Sequence, residues 1–330
     1  MEKVRWGILG TGAIARQFVQ GLNAVPEAEV LAVGSRSSAS AEKFADKRNI
    51  PRRHAGYDTL ASDPDVDVVY VATPHPFHAE NATLCLQAGK AVLCEKPFSV
   101  NAAQAERVIG LAREKGLFLM EGMWTRFFPL MEEVRRLVSE GAIGELRMLN
   151  VDFGFRAGLD PASRLFDPRL GGGALLDVGV YCVSFASMIL GPPSRSVGLA
   201  HLGETGVDEQ ASIILEQEGG RLANLSIGIR TATPQEATIM GTEGYVKIHA
   251  PWWRPMSMTV SRPGEEDETV EAPVSGNGFN YEAAEVIRCL EAGKTESDIM
   301  PLDETISVMR TMDGIRDAWG LRYPGEEGAP

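Results

Sequence analysis

From Val4 the chain alternates strand-sized apolar runs with amphipathic stretches of helical period. "VRWGIL" passes through a glycine turn into "IARQFVQGL", a strand followed by a helix. "EVLAVGSRS" predicts a second strand, 39–48 a helix, Val66–Ala72 a β-branched apolar strand, Ala79–Gly89 a helix and "AVLCEKPF" a further strand. This alternation predicts a parallel, doubly wound α/β sheet. Past Trp124 the pattern changes. A helix over Pro129–Glu140 ends at Gly141, and the strands "GELRMLNVDFGF", "SVGLAHL", "DEQASIILEQ", "GRLANLSIGI", "QEATIMGTEGYVKIHA" and "SMTVSR" follow. Their spacing predicts an open, mainly antiparallel sheet, with the helix around Tyr181 on one face and the other face open. The expected division is a Rossmann domain over 1–122 and an α+β domain over 123–330. A last helix, Leu302–Trp319, is expected to pack back on the first domain, and the tail "GEEGAP" to be loose.

Composition narrows the function classes. A 330-residue chain suits two cores, and 44% apolar content is that of a globular protein. A net charge of −13 leaves no basic stripe for nucleic acid or anionic membranes. The longest apolar runs, such as Val66–Thr73, read as strand-sized rather than membrane-spanning. The start passes straight into a strand pattern, which leaves no room for a cleavable leader. Cys85, Cys94, Cys182 and Cys289 lack metal-site spacing, so no metal is expected and reduced, buried thiols in the cytoplasm are.

The first glycine turn reads Gly10-Thr11-Gly12-Ala13-Ile14-Ala15, a GxGxxA pattern between strand and helix. One glycine allows the tight turn, the other lets a diphosphate approach the helix N-terminus, and Ala15 is small enough for close packing. The second strand ends in Gly34-Ser35-Arg36-Ser37, where an NAD site usually carries a carboxylate. A guanidinium and hydroxyls there suit the 2′-phosphate of NADP, with NAD the lesser alternative. Thr73-Pro74-His75 and Glu95-Lys96 fall at carboxyl ends of later strands, where a doubly wound sheet places its ligands. His75 and His78 lack a nearby third ligand, so a helix-start hydrogen bond is expected of His78. Lys96, partly desolvated, is suited to donate to a substrate oxygen.

The glycine-rich "GGGALLDVGVYC" carries an acid and a phenol four residues apart, Asp177 and Tyr181, which would share one face of a helix. By composition they are equally a capping acid and a core tyrosine. GxGxxA, "TPHPFH" and "EKP" together resemble the Gfo/Idh/MocA family of NAD(P)-dependent oxidoreductases. "LFLMEGMWTRFFP", "GGGALLDVGVYC", "ETGVDEQASIIL" and "KTESDIMPLDETISVMRTMDGIR" resemble its dihydrodiol and D-xylose dehydrogenase branch. The resemblance spans nearly the whole chain. In most of the family the second position of the acid pair is His, and Tyr181 is the state of that branch.

The resemblance implies a catalytic set of Lys96, Asp177 and Tyr181, with Lys96 lowering the pKa of the phenol. It further implies an aromatic pocket of Trp124, Phe153, Phe155 and Phe279 on strands or loops of the second domain, and Arg126 at the nicotinamide end of the cofactor. The partners it implies are a sugar or cyclic diol substrate and a second copy docked through the open sheet. A short-chain dehydrogenase is excluded, because its YxxxK would need Lys where Phe185 stands. A zinc alcohol dehydrogenase is excluded by the absence of spaced ligands. An NAD-dependent glycoside hydrolase and a non-catalytic NADP-sensing regulator remain as alternatives.

Overall fold

The computed structural model describes residues 3–326 and divides into two compact units. The first comprises residues up to Trp124 together with Ser275–Ile306, the second Thr125–Val274 and the chain from Ser307 onward.

In the first unit, strands β1 (Val4–Leu9), β2 (Ala28–Ser35), β3 (Arg52–Ala55), β4 (Val68–Val71), β5 (Ala91–Glu95) and β6 (Leu119–Gly122) form one sheet. Its order is β3-β2-β1-β4-β5-β6, and every pairing is parallel. Helices α1 (Ala13–Leu22), α2 (Ser38–Asp46), α3 (Tyr57–Ala61), α4 (His78–Gln87) and α5 (Ala102–Lys115) make the crossovers. Helices cover such a sheet on both faces, so β4 is buried throughout and shows no polar alternation. Helix α1 buries Ala15, Phe18, Val19 and Leu22 on one side. Helix α5 starts where the Asn101 side chain accepts from the Gln104 amide at 2.9 Å and ends at Gly116 in the left-handed conformation.

In the second unit, α6 (Pro129–Ser139) precedes β7 (Leu146–Gly154), and α7 (Val180–Leu190) follows a π-helical turn over Leu175–Gly179. Strands β8 (Pro193–Leu202), β9 (Asp208–Gln217), β10 (Arg221–Gly228), β11 (Ala237–Gly241), β12 (Gly244–Ile248), β13 (Ser257–Ser261) and β14 (Glu268–Glu271) complete an eight-stranded sheet in the order β14-β13-β12-β11-β7-β10-β9-β8. All its pairings are antiparallel except β7 with β10. One face packs under α7 through Leu149, Val151, Leu225 and Ile227, all buried. The opposite face exposes Met148, Val197, Ile214, Tyr245 and Leu199, the last at 84%.

Five expectations are corrected. Ser275–Ile306, assigned above to the domain beginning at 123, belongs to the first unit, where α8 (Phe279–Glu291) packs on α1. Helix α9 (Leu302–Trp319) does not simply return to the first domain. Its first turn belongs to the first unit, where Thr305 donates to Glu121 at 3.0 Å, and from Ser307 it belongs to the second, where the Trp319 indole donates to the Gly198 carbonyl at 3.1 Å.

The third correction concerns membrane-length runs. Pro168–Leu190 is 23 residues and contains an 18-residue window of mean hydropathy 1.8, long and apolar enough to cross a membrane by length and composition. Inside the protein 89% of that window is buried, because α7 is apolar all round and forms the core of the second unit. Fourth, Asp177 and Tyr181 do not share one continuous α-helix: Asp177 lies in the π turn and Tyr181 in α7. Fifth, of the tail expected to be loose, Glu326 is held by ion pairing to Arg316 at 2.8 Å, and 327–330 lie outside the described residues.

Candidate active site

In the first unit the residues singled out from the sequence collect on one sheet edge. Gly10–Ile14, Ser35–Arg36, Thr73–His75 and Glu95–Lys96 stand at or just past the carboxyl ends of β1, β2, β4 and β5. Gly10 has φ +112°, and a Cβ on it would sit 2.7 Å from the Ala72 carbonyl oxygen, so only glycine turns here against β4. At Gly12 the reverse holds: an added Cβ meets nothing within 4 Å. Helix α1 has no side-chain cap and no acid in its first turn. Free N–H groups below an open space are the cradle a diphosphate requires, so the residues present fit a dinucleotide.

At the end of β2 no carboxylate is present. Buried Ser35 is followed by exposed Arg36, which stands close enough to Tyr57 to act on its phenol. Burial raises the Tyr57 pKa, and Arg36 partly offsets that. The Ser37 side chain accepts from the Ser40 amide at 3.4 Å and caps α2.

The loops after β4 and β5 are held by buried polar side chains. Asn81 donates to the Thr73 hydroxyl at 3.1 Å. His78, the first residue of α4, has its two ring nitrogens 2.7 Å from the carbonyl oxygens of Thr73 and Pro97. The ring therefore lies between the two ligand-edge loops and touches both. Burial pushes the His78 pKa down, and the Lys96 charge adds to that. The Glu95 carboxylate accepts from the Tyr70 hydroxyl and, at 3.2 Å, from the Lys96 amide. Both bonds lie inside the unit and support the Lys96 turn. Glu121 on β6 supports the same turn from the other side, accepting from the Phe98 amide at 3.1 Å and from Thr305. Sequence reasoning missed Glu121, although an acid closing the apolar run "LFLMEG" was a usable signal.

In the second unit Asp177 and Tyr181 are both buried, and each has a definite neighbour. Arg164 pairs with Asp177 through both carboxylate oxygens, at 2.9 and 3.4 Å. The Tyr181 ring lies 5.4 Å from that of Phe153, which stacks on Trp253 at 5.2 Å. Neither Arg164 nor Trp253 was read from the sequence, since both are brought in from distant loops. Phe155, just past β7, is half-buried and its amide donates to the Gly228 carbonyl at 3.0 Å. The Arg126 guanidinium, expected at the cofactor, is buried and donates to the Ser184 hydroxyl at 3.0 Å and carbonyl at 2.7 Å on α7. Trp124 and Phe279, expected on the second domain, belong to the first unit and stack on each other at 4.5 Å. Phe279 opens α8 rather than lying on a strand or loop.

Two family models match the chain. Residues 4–123 match the oxidoreductase family with an NAD-binding Rossmann fold, GFO_IDH_MocA, and residues 131–247 match the GFO/IDH/MocA C-terminal domain. Trans-1,2-dihydrobenzene-1,2-diol dehydrogenase of Xenopus laevis is 42% identical, over 97% of this chain and 99% of its own. The protein of the same name from Homo sapiens is 38% identical, over 98% and 99%. Among solved structures, a 3-ketoreductase from Actinomadura kijaniata, in complex with NADP and TDP-benzene, superposes with a TM-score of 0.86. It is 28% identical and covers 96% of this chain and 98% of its own. An aldose-aldose oxidoreductase from Caulobacter crescentus, complexed with glycerol, gives 0.87 at 26% identity, covering 96% and 97%.

Proposed function

The chain belongs to the Gfo/Idh/MocA family of NAD(P)-dependent oxidoreductases acting on CH–OH groups, and from that premise we propose that it oxidises a sugar or cyclic diol with NADP, using Tyr181 as acid and base. The observation that carries the reading is the sheet edge where the open glycine turn, Arg36 and Lys96 stand together. When bound, the nicotinamide supplies the hydride acceptor. Tyr181 accepts the proton of the substrate hydroxyl as hydride leaves the carbon, and returns it in reduction. Its phenol is a weak base unless a cation stabilises the phenolate, and the Lys96 ammonium supplies that charge while polarising the substrate oxygen. Asp177, oriented by Arg164, accepts hydrogen bonds from neighbouring substrate hydroxyls. Phe153, beside Tyr181, offers an aromatic face to the apolar side of a ring substrate.

NADP is preferred over NAD because Arg36 pairs with a 2′-phosphate and no carboxylate at the end of β2 repels it. The solved ketoreductase was crystallised with NADP, which supports the same preference here. The exposed face with Met148, Val197, Leu199, Ile214 and Tyr245 is an apolar surface suited to a second copy, so the active form is a homodimer through the large sheet. All four cysteines are free and buried, which suits the reducing cytoplasm.

The test is reduction of NADP by D-xylose, D-glucose or trans-dihydrobenzenediol, followed at the absorbance of reduced nicotinamide. Tyr181→Phe should lower kcat by about 10²–10⁴ with cofactor binding intact, the usual worth of a proton-transfer group. A variant that keeps most of its rate would reduce Tyr181 to packing. Tightly retained cofactor without net turnover would favour a redox glycoside hydrolase, and cofactor binding without any turnover a sensor. Arg36→Asp should weaken NADP far more than NAD. Sedimentation of wild type against Leu199→Asp tests the dimer, since only a sheet-face dimer loses mass on that substitution.

A further inference from the structure

The glycine triplet before the π turn is built around a side chain from another strand. Asp208, the first residue of β9, is fully buried, and its Oδ2 accepts from the Leu175 amide at 2.6 Å. Its Oδ1 has no hydrogen-bond partner among the described residues. Gly173 has φ +117°, and a Cβ there would run into Asp208 Oδ1. The Gly172 carbonyl accepts from the Tyr323 hydroxyl at 2.7 Å. A carboxylate from the sheet and a phenol from the C-terminal stretch thus hold the turn that leads into Asp177 and Tyr181. The hydrogen bond falls on an amide at the amino end of that helix, where negative charge is favoured.

We propose that Asp208 is a positioning residue for Asp177 and Tyr181, its carboxylate fixing the start of the π turn and α7 that carry them. It touches neither substrate nor cofactor and acts through the 173–177 backbone. This rests on the catalytic reading of Asp177 and Tyr181. Burial raises the Asp208 pKa to about 7, so its charge changes across neutral pH. The groups around it are few. From α9, Arg316 lowers the pKa, but Arg316 is itself bound to Asp313 at 2.7 Å and Glu326 at 2.8 Å. From the C-terminal stretch, Tyr323 has its own pKa raised by burial and by Asp208. From the π turn, the charged group is Asp177, which pairs with Arg164.

A charge-assisted hydrogen bond is about twice as strong as a neutral one, so protonating Asp208 loosens the turn. The experiment is amide hydrogen exchange over residues 171–182 in the full-length protein at pH 6 and 8, corrected for intrinsic rates, in wild type and Asp208→Asn. Asparagine keeps the shape and one acceptor but no charge. Wild-type protection should drop about tenfold on going to pH 6, the worth of one such bond. Asp208→Asn should be weakly protected at both pH values. Its kcat should fall by a similar factor while the Kd for cofactor is unchanged. Protection that does not depend on pH in wild type, equal protection in Asp208→Asn, or an unchanged kcat would each overturn the proposal. Exchange is read without turnover. A pH-dependent clasp with an active Tyr181→Phe would therefore fault the catalytic reading, and a pH-independent clasp with a dead Tyr181→Phe would fault only this one.

Discussion

The two glycine turns of this protein, Gly10–Gly12 and Gly171–Gly173, each lead into a helix that lacks a capping side chain of its own. Both bend through a glycine at strongly positive φ, +112° at Gly10 and +117° at Gly173. They differ in what stands over the exposed amides. Above Gly12 there is open space. Above Gly173 the chain has placed its own carboxylate, Asp208. A helix N-terminus attracts negative charge in either case. One turn leaves that demand unmet by a side chain, and the other satisfies it with a carboxylate of the chain itself.

The most damaging way to break the comparison is Gly173→Ala. It combines a left-handed backbone with overlap on Asp208, and about 3 kcal/mol of stability should go, read as a lower chemical-denaturation midpoint. Gly12→Ala has no such overlap and should leave that midpoint nearly unchanged.

Next comes Gly12→Asp, which converts the open turn into a self-satisfied one. An aspartate at an N-cap stabilises the helix but repels a diphosphate. Cofactor affinity should fall about a hundredfold, equivalent to about 2.7 kcal/mol, with an unchanged or slightly raised thermal midpoint. Retained affinity in calorimetry would show that the diphosphate does not use this turn.

A smaller effect comes from the pH dependence of the closed turn. Asp208 titrates at about 7 folded, against about 3.9 for an unfolded aspartate. The folded state therefore holds a proton that the unfolded state has released. The stabilising contribution is complete below about pH 4 and is lost as pH rises through about 7. The thermal midpoint of wild type relative to Asp208→Asn should fall between pH 5 and 8. The same ionisation tightens one local hydrogen bond and weakens the whole fold, because the desolvation cost is borne globally. A parallel pair of pH curves would remove Asp208 as the titrating group.

Smallest is Ser37→Ala, which removes an ordinary cap from α2 at the Arg36 end of the sheet edge. About 1 kcal/mol of stability should be lost by denaturant titration. Cofactor affinity should change less than in Gly12→Asp, since the Ser37 side chain already has a partner in the Ser40 amide.

Much of this is legible in the amino-acid sequence itself. The parallel sheet declared itself through β-branched runs such as "VVYV", which have no polar alternation because both faces are covered. The ligand edge followed, since Thr73, Lys96 and the glycine turn each closed such a run. The second sheet was legible through period-two strands and turn glycines, and α9 by its length. The helix Phe279–Glu291 was not. Its place beside α1 depends on contacts across more than 250 positions, and Phe279 was assigned to the wrong unit for the same reason. Arg164, Trp253 and Glu121 were missed because an isolated arginine, tryptophan or acid carries no local pattern.

The sequence by itself determined the two-part architecture and the dinucleotide turn. Those features are written in local period and spacing, which short-range sterics enforce. Tertiary structure alone decided which glycine turn stays open and which is closed. It also decided that Asp177 sits in a π turn against Arg164, and that Arg126 donates to Ser184. Each of those outcomes depends on a partner brought from a distant strand or loop, and burial then makes the pairing obligatory.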